Sequence, residues 1–262
     1  MKRRDLIRYT TYGLISSLFI TKSPKVLAQN NSGVTIEWLG HSCFVFRNSQ
    51  ATILVNPFTP VGCTANYRQP QPQVEIVMIS SRLLDEGSAA GLPNNPQLML
   101  EAGVYQVKEM EFQGIKTLHD RQNGRRFGDN ICWKWTQGGV KILHLGGIAS
   151  KIGIEQKILM GTPDVLFIPV GGTSKSYNAE EAISAIKTLQ PKIVIPTQYL
   201  TSAAQTDQCE LNKVEDFIQL AQGEKFGVQS IGNNSLRIRP QDLPKEGTAV
   251  RILNSNNLIA NK

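Results

Sequence analysis

The sequence predicts a mixed α/β fold carried by one domain, and three observations support it. Short, often β-branched runs recur along most of the chain. Two amphipathic helices with clear start and stop signals come late. Neither a short repeat nor a low-complexity linker divides the 262 residues. Strands in runs with helices behind them argue against strict βαβ alternation. Hydrophobic residues at 40% and charged residues at 19% describe a globular chain with a core of ordinary size.

The elements follow in order. Strands are expected at Val34–Trp38, Cys43–Arg47, Thr52–Val55, Val74–Ile79, Val104–Phe112, Ile115–His119, Ile131–Trp135 and Val140–His144. Val165–Pro169 and Ile193–Pro196 are apolar throughout and read as buried strands. Phe226–Ile231, Leu236–Arg239 and Ala249–Leu253 complete the set. The first helix starts at Asn178, whose side chain can cap while Glu181 completes a capping box. Ala182, Ile183, Ile186 and Leu189 share its inner face, and Pro191 stops it. The second runs from about Glu210 to Gln222 and ends at Gly223. The Pro/Gln stretch 68–73 is a loop, and the Asn-rich tail after Leu253 is expected to be loose.

The net charge of +7 is concentrated at the start. Residues 1–28 hold six basic residues and one acidic residue, which leaves the remainder at +2. So balanced a body has no electrostatic footprint for nucleic acid. The start itself reads as an export signal over 1–28, followed by a domain over 29–262. A basic MKRR precedes a short apolar stretch, 13–20, and a small-residue exit at Val26-Leu27-Ala28. Arg3-Arg4-Asp5-Leu6-Ile7 resembles a twin-arginine signal. The stretch is too short to span a bilayer, so membrane contact is expected only through an uncleaved signal. The expected location is the periplasm or an equivalent lumen. There one disulfide is possible. Cys63 and Cys209 lie in polar loop contexts and are the candidate pair, whereas Cys43 and Cys132 read as buried small hydrophobes.

Five loops at strand ends collect the polar residues: 80–86, His119-Asp120, 144–147, 171–176 and Thr197-Gln198-Tyr199. Together TIEWLGHSCFVF (35–46), TILVNPF (52–58), VMISSRLLDEGS (77–88), KTLHD (116–120), KILHLGGIA (141–149), PDVLFIPVGG (163–172) and IVIPTQY (193–199) resemble the metallo-β-lactamase superfamily. Within it they look like the ascorbate-6-phosphate-lactonase-like branch of Zn-dependent hydrolases. The resemblance implies an αββα sandwich, with two mixed sheets face to face, helices outside and a metal site at one edge.

It also implies where the ligands should fall. The family's Thr/Ser-His-x-His-x-Asp-His loop puts its three histidines on Ser81, Leu83 and Glu86, and only its aspartate survives, as Asp85. The next ligand histidine survives as His119. The bridging aspartate falls on Gly147 and the late histidine on Gln198. Zinc needs imidazole nitrogen, thiolate or carboxylate oxygen at close range. Its service is to lower the pKa of bound water from about 15.7 to about 7, or roughly 12 kcal/mol at 1.36 kcal/mol per unit. Net hydrogen bonds of about 1 kcal/mol each do not replace that. The chain has three histidines in all, His41, His119 and His144.

The expectation is therefore an exported relative that has lost most metal ligands, with no cofactor. It would bind an unidentified small molecule or protein, in a pocket formed by His41, Ser81, Leu83, Glu86, His144, Gly147, Gly171, Gly172 and Gln198. The alternative is a hydrolase of a lactone, ester or phosphoester with a rewired one-metal site. That site would hold zinc or manganese on Asp85, Glu86 and His119, with Asp85 and His119 as the catalytic candidates.

Overall fold

The computed structural model describes residues 32–260 except 205, 206 and 208. The export signal expected at 1–28 lies outside the described residues. Seventeen elements follow one another among them: β1 (Val34–Gly40), β2 (Cys43–Arg47), β3 (Thr52–Val55), β4 (Ile76–Met78), β5 (Gln97–Met99), β6 (Gly103–Val107), β7 (Met110–Leu118), β8 (Asp129–Gln137), β9 (Val140–His144), α1 (Ile154–Met160), β10 (Val165–Pro169), α2 (Ala179–Leu189), β11 (Ile193–Thr197), α3 (Val214–Gly223), β12 (Gly227–Ser230), β13 (Ser235–Ile238) and β14 (Ala249–Ile252).

They form two mixed sheets, as expected. The six-stranded sheet has the order β13-β1-β2-β3-β4-β5, and the eight-stranded sheet β12-β14-β11-β10-β9-β8-β7-β6. In the first, β13 to β3 pair antiparallel and β3 to β5 parallel. In the second, β12 to β9 are parallel and β9 to β6 antiparallel. The sheets meet through aromatic side chains. Phe44 and Phe46 on β2 pack edge-on against Phe167 of β10, and Phe46 also against Trp135 of β8. Rings at 4.7–5.2 Å with near-perpendicular planes set positive edges against negative faces. The central strands β10 and β11 are buried at every position, so their continuous apolar runs belong between covered faces.

α2 forms as its sequence requires. The Asn178 side chain accepts from the Glu181 N–H, and the Glu181 carboxylate accepts from the Asn178 N–H. Ala182, Ile183, Ile186 and Leu189 are buried.

Three expectations are corrected. Val104–Phe112 is not one strand. The chain turns at Lys108-Glu109, with Lys108 at φ 55°, and β7 then runs unbroken through Ile115. The second helix starts at Val214 instead of Glu210, because the backbone before it is engaged elsewhere. The Asn212 N–H donates to Gly171 O, and Asn212 O accepts from Leu200. The tail is seated: Leu258 is buried, its carbonyl accepts from Arg68, and Ala260 donates to Asn66. The sequence reading also overlooked β5 and α1. β5 has three residues, and α1 buries only Met160 while leaving Ile154 and Ile158 exposed.

Cys63 and Cys209 are joined, and Cys43 and Cys132 are free and buried. Among the described residues no helix is long and apolar enough to cross a membrane.

Candidate functional site

The loop after β4 is held from both sides. Asn56, in a left-handed conformation that Asn tolerates, accepts from the Ser80 N–H at 2.8 Å and donates its own N–H to Met78 O. The chain then folds back so tightly that a Cβ on Gly87 would lie 1.8 Å from Ser81 O. The return fixes the two acids in different places. Glu86 is fully buried, and Asp85 faces outward to Lys175, with which it forms an ion pair.

His119 enters from the end of β7. The residue after it pegs the turn: the Asp120 carboxylate accepts from the N–H groups of Gln122, Gly124, Arg126 and Phe127 at 2.7–2.9 Å. Arg121 then reaches the loop after β10. It donates to Thr173 O and Ser176 O at 2.8 and 3.0 Å and forks onto Glu181.

These supports bring five positions to one point. Glu86 Oε1 touches His119 Nε2 and accepts from Ser81 Oγ at 2.9 Å, while Oε2 accepts from Gln198 Nε2 at 2.8 Å. Gly147 closes the group. A Cβ there would stand 2.8 Å from Glu86 Oε2 and 2.6 Å from His119 Cε1. Burial by itself would push the Glu86 carboxyl up, but the adjacent His119 holds it well below the usual carboxylate range. Burial likewise works against a charged His119, and the Glu86 carboxylate overrides it and raises the imidazole. Both directions favour the charged forms of the two groups, and the far ring nitrogen of His119, Nδ1, is buried without a hydrogen-bond partner.

The other two histidines differ. His144 Nδ1 accepts from the Gly146 N–H at 3.1 Å, which leaves Nε2 to donate to Ser42 O at 3.1 Å. Burial lowers it to about 4, and its ring stacks on Phe167. It is a neutral packing residue outside the Glu86 group. His41, at φ 51°, is buried with neither ring nitrogen hydrogen-bonded. Burial lowers its pKa too.

Of the expected pocket residues, Ser81, Glu86, Gly147 and Gln198 converge, and His41 lies within electrostatic reach of Glu86, Asp85 and Lys175. Gly171 packs beneath Gln198, where a Cβ would fall 2.0 Å from Gln198 O. Leu83 and Gly172 are half-buried, and a Cβ on Gly172 would face Asn212 and Asn178, not the Glu86 group. The sequence reading missed the positioning roles of Asn56, Asn130, Asp120 and Arg121. Two of them left a signal: Asn56 stands where the resemblance puts the aspartate of an Asp-Pro-Phe turn, and Asp120 is followed by the turn-forming Gln122-Asn123-Gly124. Asn130 acts across strands, donating to Leu145 O and accepting from the Gly147 N–H.

The three-ligand set of Asp85, Glu86 and His119 does not assemble, because Asp85 is turned to Lys175. Among the described residues no group of three or more His, Cys, Asp or Glu is placed to hold a metal ion. Around His119 the remaining neighbours offer a serine hydroxyl, a carboxamide and a glycine. That donor set does not fit a hydrolytic zinc centre.

Two facing mixed sheets with polar loops gathered at strand ends define the metallo-β-lactamase class of fold. Comparison with known proteins agrees. The model of the beta-lactamase superfamily domain matches residues 35–198, and the chain belongs to that superfamily. It is similar to a UPF0173 protein of Pyrococcus abyssi, 24% identical over 183 residues that cover 63% of this chain and 83% of the relative. It is also similar to a UPF0173 metal-dependent hydrolase of Thermoplasma acidophilum, 23% identical over 188 residues, with 63% and 83% covered. A solved metallo-β-lactamase superfamily structure from Thermotoga maritima superposes with a TM-score of 0.67 at 27% identity, covering 84% of this chain and 98% of that one.

Proposed function

We propose that this chain is a non-catalytic member of the superfamily in which a buried carboxylate–imidazolium pair stands where relatives keep their metal, and that its role is to bind a small molecule or a partner protein. The observation that carries the reading is the Glu86 carboxylate, which occupies the space between His119 and Gly147. A metal held by His119 would have to displace it from three partners. Residues 1–28 and the Cys63–Cys209 bond favour an exported protein in an oxidising compartment.

Metal analysis of protein purified without chelator tests this. The reading expects far less than one zinc or manganese per chain. Several relatives are named metal-dependent hydrolases, which keeps a second reading in view, a hydrolase with a rewired one-metal site. That reading expects stoichiometric metal that disappears in H119A.

A further inference from the structure

The solvent side of the site, its mouth, carries one ion pair between two loops, while Glu86 and His119 behind it are fully buried. Lys175, in the loop after β10, pairs with Asp85, in the loop after β4. Their side chains retain 21% and 16% of their exposure, so solvent reaches both. Within electrostatic reach of both is the His41 ring, 3% exposed, with Nδ1 and Nε2 both unpartnered. Thr197 Oγ1 and Gln198 Oε1, from the strand end whose backbone meets His41 O, are also buried without partners. Buried polar atoms in folded proteins are almost always hydrogen-bonded, so such a group of orphans asks for an explanation. A neutral imidazole offers one N–H donor and one acceptor.

We propose that the mouth is a binding site for a small organic carboxylate, whose carboxylate replaces that of Asp85 on Lys175 and accepts from the N–H of His41. Asp85 is then the internal stand-in for the ligand. The exchange substitutes one carboxylate for another on the same lysine, so the ion pair that breaks is replaced by the one that forms. It supplies a partner to an imidazole that otherwise has none. Arg121 keeps the lysine's loop in place while Asp85 moves aside, since it binds the backbone at Thr173 and Ser176. The ligand class rests on the reading of the site as metal-free.

Acetate is the probe. Sodium acetate is titrated into the full chain at constant ionic strength against sodium chloride, and the His41 ring and Lys175 ammonium signals are followed by NMR, with and without EDTA. Saturable acetate shifts at both groups are expected, lost in K175M and at least tenfold tighter in D85N. Retained tryptophan and methyl dispersion shows that each variant folds. Identical shifts with chloride, or tighter binding of inorganic phosphate, would overturn the carboxylate assignment alone. Acetate binding abolished by EDTA would instead overturn the metal-free reading on which it rests.

Discussion

The Glu86 carboxylate and the bare α-carbon of Gly147 are complementary: a Cβ added to Gly147 would approach Glu86 Oε2 to 2.8 Å. The resemblance assigns a bridging aspartate to 147 and a ligand histidine to 86. The same Cβ would approach His119 Cε1 to 2.6 Å, so the Glu86–His119 pair as a whole leaves no room for a side chain at 147, and the acid at 86 and the glycine at 147 are sterically coupled.

This coupling is measurable. G147A should cost ~1–3 kcal/mol, the usual range for overpacking a filled site, and G147D more. In the E86A background both penalties should shrink. A double-mutant cycle by urea unfolding checks it, and additive costs would show that the two positions are independent.

The ion pair itself should be costly to halve. E86A strands a buried imidazole, Ser81 Oγ and Gln198 Nε2, and removing one member of a buried pair costs ~3–5 kcal/mol. H119A leaves the buried carboxylate without its countercharge, held only by Ser81 Oγ and Gln198 Nε2. E86A/H119A should cost at least ~1 kcal/mol less than the two single losses together.

Stability should depend on pH in two separable ways. The His119 pKa is raised above 6.5, so its contribution is complete below 6.5 and lost as pH rises through the folded value. His144, lowered to about 4, and His41, also lowered, contribute above 6.5 and lose that contribution as pH falls. Glu86, held below 4.5, adds stability above 4.5 that is lost on further acidification. In E86Q the alkaline decline should vanish, because no carboxylate holds the His119 proton. The decline from 6.5 toward 4 should remain. Unfolding free energies from pH 4 to 9 test both limbs.

The Cys63–Cys209 bond closes a sequence separation of 146 residues beside the Tyr67–Thr201 hydrogen bond. C63S/C209S should be less stable by ~2–4 kcal/mol. A reductant should lower the melting temperature of the wild type and leave the variant unchanged.

Arg121 should matter to the mouth more than to the core. R121A frees the Thr173 and Ser176 carbonyls, so amide exchange should accelerate over 172–176. Exchange in β10 should stay as it was.

Much of this fold is legible in the sequence because each element's local pattern agrees with its place. The capping box at Asn178 and Glu181 acts within one turn, and the apolar runs of β10 and β11 are buried on both sides. The hairpin at Lys108 escaped because a lysine at φ 55° gives no glycine or asparagine signal. α1 escaped because its exposed Ile154 and Ile158 defeat any inward stripe. At the site, the ligand positions on Ser81, Glu86, Gly147 and Gln198 could be aligned with a known pattern. That Glu86 turns inward while Asp85 turns out could not. It depends on the Gly87 return against Ser81 O and on Lys175, 90 residues away.

Diffraction recorded on both sides of the zinc absorption edge, from crystals grown in excess zinc chloride, shows whether the Glu86–His119 pair excludes a metal. No anomalous peak is expected between Glu86 and His119, whose side chains should be in direct contact. A peak ligated by both side chains would overturn the metal-free reading.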